Sequence, residues 1–173
     1  MVTGISFQSC SNPTSYGGAL SASGSSVLVS QCSFINCSAA SGGAISVIGP
    51  GDGLFLAVQS SNFTGNSANG GSVGCPEDAA LPCSAWGGAI AAFEIFNVTI
   101  KGCTMVSNRV DAQVPIDSGQ YQKSRNAVAG GGGLSVLFNG NASGSSIDIS
   151  GNNFTECTVD VSSDGTVFVG NGV

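Results

Sequence analysis

The chain has 173 residues, a formal net charge of −6, 8% charged residues, 27 glycines and no histidine, with a mean hydropathy of +0.30. Low charge with positive hydropathy excludes a disordered chain, and four cations in all exclude the basic face that neutralising nucleic-acid phosphates requires. The absence of histidine excludes Ser-His-Asp and Cys-His catalysis and histidine–zinc sites within this chain.

Taken in chain order, the sequence repeats itself. Ile5, Phe7 and Cys10 are a partial first copy of a motif of alternating apolar residues followed by a small or polar residue, an aromatic and a corner residue. It returns as Val27, Val29, Cys32, Phe34 and Cys37, then as Leu56, Val58, Ser61, Phe63 and Asn66. The fourth copy is Val98, Ile100, Cys103, Met105 and Asn108, and the fifth is Ile147, Ile149, Asn152, Phe154 and Cys157. Between these copies runs a second motif: Gly17-Gly18-Ala19-Leu20, Gly42-Gly43-Ala44-Ile45, Gly87-Gly88-Ala89-Ile90 and Gly131-Gly132-Gly133-Leu134, with Asp164-Gly165-Thr166-Val167 as a worn fifth.

The aromatic positions are spaced by 27 and 29 residues from Phe7 to Phe63, then by 42 and 49 from Phe63 through Met105 to Phe154. Insertions at about 67–85 and about 110–128 account for the long intervals, and removing them restores a unit of roughly 25–30 residues. A steady short unit with loops extruded at fixed corners is the signature of a solenoid. Alternation such as Ile147-Asp148-Ile149-Ser150 marks half-buried strands. No unit offers the helix-compatible half of a leucine-rich repeat; an antiparallel sandwich is the other competitor. The predicted fold is therefore all-β, a single-stranded right-handed parallel β-helix of about five coils with two long loop insertions. The aromatic positions should stack inside it, with Met105 as a flexible substitute. The glycine pairs should turn corners where backbones approach closely, and Asn66 and Asn108 suit a further corner.

The seven cysteines read in several ways. Cys75 and Cys83 flank a short segment of the first insertion and are expected to close it as a disulfide; two unrelated thiols are the alternative. Cys10 and Cys37 occupy equivalent positions in adjacent units, within bonding range if their coils stack directly. Cys32 and Cys103 share a column but are separated by Ser61, too far for a bond, and are expected to be buried small apolar groups. Cys157 either pairs beyond this segment or is free. The cysteines lack Cys-x-x-Cys spacing, so neither a metal nor a cofactor is expected.

Five Asn-x-Ser/Thr sequons, at Asn36, Asn62, Asn97, Asn141 and Asn153, together with the cysteines, point to a secreted or cell-surface glycoprotein of a eukaryote. No apolar run approaches the ~20 residues of a membrane-spanning helix, and both ends read as repeat strand, so the chain is expected to be one segment, 1–173, of something longer.

The alternation of Gly-Gly-Ala-Ile with Phe-x-x-Asn resembles the repeats of chlamydial polymorphic outer-membrane proteins, autotransporter adhesins with a β-helical passenger. The first motif is intact at 42–45 and 87–90; the second is intact only as Phe63-Thr64-Gly65-Asn66. Similar repeats occur in large surface proteins of algae and protists, and the sequons and loop cysteines lean toward that group. The resemblance implies fold and surface location, not a ligand.

The function expected is an extracellular structural or adhesive module of a larger surface glycoprotein or filament. Its partners would be a protein or glycan at the cell surface, or neighbouring subunits, met through the loops. Arg109, Tyr121, Lys123 and Arg125 at the second insertion are the candidate contact residues; a merely solvated loop is the plain alternative. A pectin lyase-like carbohydrate-active enzyme or carbohydrate-binding module is the competing class. No activity is expected, because the outward column through Asp148 holds Thr99 and Ala57 rather than further carboxylates.

Overall fold

A computed structural model describes residues 1–70, 83–113, 127–137, 146–162 and 167–170. Among the described residues the chain forms strands and turns and no helix. Every strand pairing among them is parallel, which corrects the antiparallel alternative. Paired strands lie one sequence repeat apart, an arrangement compatible with a parallel β-helix.

Four sheets form the walls. The aliphatic sheet contains Val2–Thr3, Leu20–Ser23, Val27–Ser30, Ile45–Gln59, Ile90–Lys101, Leu134–Leu137 and Ser146–Ser150. The aromatic sheet stacks Ser6–Gln8, Ser33–Ile35, Asn62–Thr64, Thr104–Val106 and Asn153–Thr155. A third sheet stacks Ser11–Tyr16, Ser38–Ser41, Ser67–Asn69, Arg109–Gln113 and Thr158–Ser162, and a fourth stacks Cys83–Trp86, Ala127–Gly130 and Val167–Gly170.

The register places repeat-equivalent residues over one another. Phe7, Phe34, Phe63, Met105 and Phe154 form one column, and Val2, Val29, Val58, Ile100 and Ile149 another. Phe7 and Phe34 stack with centroids 4.9 Å apart and planes 7° from parallel; Phe34 and Phe63 follow at 4.8 Å and 3°. These distances match the ~4.8 Å separation of hydrogen-bonded strands, so the backbone pitch itself sets the ring spacing. Phe34, Phe63 and Met105 are fully buried.

Corners fall where the chain takes positive φ, and these residues also form columns. One runs through Gly4, Gln31, Ser60, Gly102 and Gly151; a second through Ser9, Asn36, Gly65, Ser107 and Glu156; a third through Gly17, Gly42, Gly87 and Gly131. The expected corner residues Asn66 and Asn108 are thus not the residues that bend: Gly65 and Ser107 before them do. The second glycine of each pair is demanded by crowding. A Cβ on Gly43 would sit 2.1 Å from the Gly88 carbonyl oxygen, and one on Gly88 would sit 2.0 Å from that of Gly132. Backbone passes directly over backbone there, with no room for a side chain.

Both insertions leave the repeat at the same point, between the third and fourth sheets. Their flanking strands remain in the ladders, with Ser67 opposite Arg109 and Cys83 opposite Ala127. The regions expected as insertions therefore begin and end with ladder strands: Ser67–Asn69 and Cys83–Trp86 around the first, Arg109–Gln113 and Ala127–Gly130 around the second.

Candidate functional site

The interior carries two chemistries side by side. Three residues after the aromatic column comes a column of Cys10, Cys37, Asn66, Asn108 and Cys157. The parity works because the corner residue between them takes positive φ: Phe34 points inward, Ile35 outward, Asn36 turns the corner, and Cys37 points inward again. Cys37, Asn66 and Asn108 are fully buried.

The two buried amides are saturated by each other and by the backbone. Asn66 Nδ2 donates to Asn108 Oδ1 at 2.9 Å and to the Phe34 carbonyl at 3.0 Å. Asn66 Oδ1 accepts from the Cys37 backbone N–H at 2.9 Å, and Asn108 Oδ1 accepts from the Asn66 N–H at 3.0 Å. Asn108 Nδ2 donates to the Phe63 carbonyl at 3.0 Å and faces Cys157 Sγ at 3.8 Å. At the preceding corner the same device recurs with other side chains. Ser61 Oγ accepts from the Cys32 N–H at 3.1 Å, and Asn152 Oδ1 accepts from the Cys103 N–H at 2.9 Å. A corner breaks the strand ladder, and these side chains supply the partners the backbone would lack there.

Among the described cysteines Cys10, Cys32, Cys37, Cys103 and Cys157 are free thiols. The bond expected between Cys10 and Cys37 is not formed in this structure. Each thiol faces the carbonyl two residues before it, Gln8 at 3.8 Å and Ile35 at 3.6 Å, so the pair stacks in one orientation rather than converging. Burial pushes the Cys37 thiol above its ordinary value, with the Cys10 backbone opposing the shift and the Cys10 thiol adding to it. Cys32 and Cys103 are buried as expected, and burial raises the Cys103 thiol. Cys75 and the side chain of Cys83 lie outside the described residues, as does their expected disulfide.

On the outside, the described sequon asparagines Asn36, Asn62, Asn97 and Asn153 are all exposed; Asn141 lies outside the described residues. Asn62 and Asn153 share one outward column of the aromatic sheet, separated by Thr104. Arg109 sits in a ladder strand of the third sheet, where its Nη2 pairs with Asp111 at 2.7 Å and its Nε with Asp160 at 3.0 Å. Sequence reasoning missed these partners, because the Asp160 contact arises only when the two strands lie in register. Tyr121, Lys123 and Arg125 lie outside the described residues. Asp148 stands opposite Thr99, itself opposite Ala57, so no carboxylate column forms there. The Lys101 ammonium and then the Ser150 hydroxyl, both hydrogen-bonded to Asp148, hold its carboxyl below the usual range. Among the described residues no three His, Cys, Asp or Glu side chains gather to hold a metal ion, and no helix is long and apolar enough to cross a membrane.

Comparison with family models, with curated proteins and with solved structures finds no match to this chain.

Proposed function

We propose that the chain is a segment of a right-handed parallel β-helix of about five coils that serves as an extracellular structural or adhesive module of a larger surface glycoprotein or filament, without catalytic activity. The observation that carries this reading is a segregation on the surface. The four described sequon asparagines are exposed on the aliphatic and aromatic sheets and the corner after them. Both long insertions leave from a different place, the seam between the third and fourth sheets. Sequons and loops at separate corners suit a rod whose loops meet a protein or glycan partner or a neighbouring subunit. A right-handed path is the hand that parallel strand crossovers overwhelmingly take.

Expression through a eukaryotic secretory pathway, followed by glycopeptide mapping, tests the glycoprotein reading. Sugar on Asn36, Asn62, Asn97 or Asn153 is the expected result, and a secreted chain bare at all four overturns it. Release of reducing or unsaturated sugars from a panel of acidic polysaccharides would overturn the non-catalytic reading. For adhesion, beads carrying the chain are expected to bind cell surfaces and to lose binding when the insertions are replaced by short turns.

A further inference from the structure

We propose that Cys10 and Cys37 form a built oxidation site, at which a small disulfide cross-links two adjacent repeats. The inference rests on register, not on the functional reading above. Ser11 lies opposite Ser38, and the Ser38 N–H donates to the Cys10 carbonyl at 2.8 Å, so the two cysteines occupy neighbouring strands at the same height. Neighbouring strands stand about 4.8 Å apart, within the ~4.4–6.8 Å Cα separation that a disulfide spans. Both thiols point inward in the same orientation. In-register strands hold the two Cβ atoms about 4.8 Å apart and a disulfide about 3.5–4.5 Å, so bonding takes a χ1 rotation and a backbone approach of well under about 2 Å. Cys32 and Cys103 provide the contrast. Each is buried, but Ser61 occupies the rung between them, so their separation of about 9–10 Å forbids a bond.

Burial also assigns an order to the chemistry. Cys10 is partly exposed while Cys37 is fully buried. The Cys10 thiolate attacks one sulfur of a small disulfide such as oxidised glutathione. An S–S bond forms at Cys10 and one glutathione thiolate leaves. The Cys37 thiol then loses its proton and attacks the Cys10 sulfur of the mixed disulfide, expelling the second glutathione. The protein has given up two electrons and two protons, and the reagent has become two thiols.

The test uses the intact 173-residue chain, purified reduced and treated with oxidised glutathione. Remaining thiols are alkylated after unfolding, and peptides are mapped by mass. The expected product is a Cys10–Cys37 linked peptide, with Cys32 and Cys103 fully alkylated and unlinked. In Cys37→Ala the reaction should stop at a glutathione adduct on Cys10. The linked wild type should melt higher by on the order of 5–10 °C, since the bond closes a long loop in the unfolded chain. Recovery of Cys10 and Cys37 both alkylated, a stable glutathione adduct on Cys10 of the wild type, or linkage of Cys10 to another cysteine would each overturn the proposal. The wild-type map decides the matter even if Cys37→Ala fails to fold.

Discussion

Two inward columns run side by side through this molecule and are held by different forces. The aromatic column, from Phe7 to Phe154, is a stack of rings and one thioether held by dispersion and by exclusion of water. The thiol–amide column, from Cys10 to Cys157, is held at its centre by directional hydrogen bonds between Asn66, Asn108 and corner backbone groups. The first asks for volume and asks little of chemistry, which is why Met105 can stand in a phenylalanine position and remain fully buried. The second asks for a particular donor and acceptor at each rung. Where it changes to cysteine the amide ladder ends, on the Cys37 backbone N–H at one side and against the Cys157 thiol at the other.

The sharpest way to break this comparison is to substitute across it. Phe34→Ala should destabilise the chain by about 3–5 kcal/mol, because the ring is wholly buried between two others, whereas Phe34→Met should cost below about 1.5 kcal/mol. Urea denaturation of the two variants measures the gap, and equal losses would deny that volume is what the column requires. In the other column the ranking should invert. Asn66→Leu preserves shape yet strands the Cys37 N–H and the Phe34 carbonyl, so it should cost about 2–4 kcal/mol, no less than Asn66→Ala. A well-tolerated leucine would show that the amides are passengers in an apolar core.

Alkaline titration probes the buried thiols, Cys37 in the thiol–amide column and Cys103 in the neighbouring inward column through Cys32 and Ser61. Neither the aromatic residues nor the amides titrate, but burial raises the Cys37 and Cys103 thiols above the ordinary value of 9.0. In the unfolded chain both thiols lose their protons near that value while the folded chain retains them. Stability is therefore fully present below it and is lost as pH rises from there toward the folded-state values. Thermal melts from pH 8 to above pH 9 should fall more steeply for the wild type than for a Cys37→Ala, Cys103→Ala double variant. Identical slopes would mean that burial does not hold these protons.

The aromatic column and the glycine corners are legible in the sequence because residue type repeats with the period: phenylalanine returns at nearly every turn, and each Gly-Gly pair marks a place where only glycine fits over Gly88 or Gly132 backbone. The other two corner columns are not legible. Gln31, Asn36, Ser60, Ser107 and Glu156 take positive φ beside glycines, and no shared residue type announces it, because the cost of about 1–3 kcal/mol at each is borne by the surrounding ladder. The amide ladder hides for a related reason. Asparagine is a turn former on local grounds, and only the neighbouring rung turns Asn66 and Asn108 into interior hydrogen-bonding residues. Arg109 shows the same limit outside. It reads as the edge of a loop until register brings Asp160, far along the chain, beside it.

The smallest expected effect has the opposite sign to that of Asn66 and tests the same rule. Ser46 belongs to a column of Ser21, Ser46, Ala91 and Ser135. Ser135 Oγ donates to the Gly130 carbonyl at 2.8 Å, whereas the fully buried Ser46 hydroxyl has no hydrogen-bond partner among the described residues. A buried hydroxyl without a partner keeps its desolvation cost and returns nothing. Ala91, one rung away and equally buried, shows that a methyl group fits this environment. Ser46→Ala should therefore stabilise the chain by about 1 kcal/mol, seen as a higher urea midpoint at unchanged slope. If polar groups in this interior are worth keeping only when each is partnered, Ser46→Ala must gain where Asn66→Ala loses. A loss at both positions would mean that the Ser46 hydroxyl has a partner.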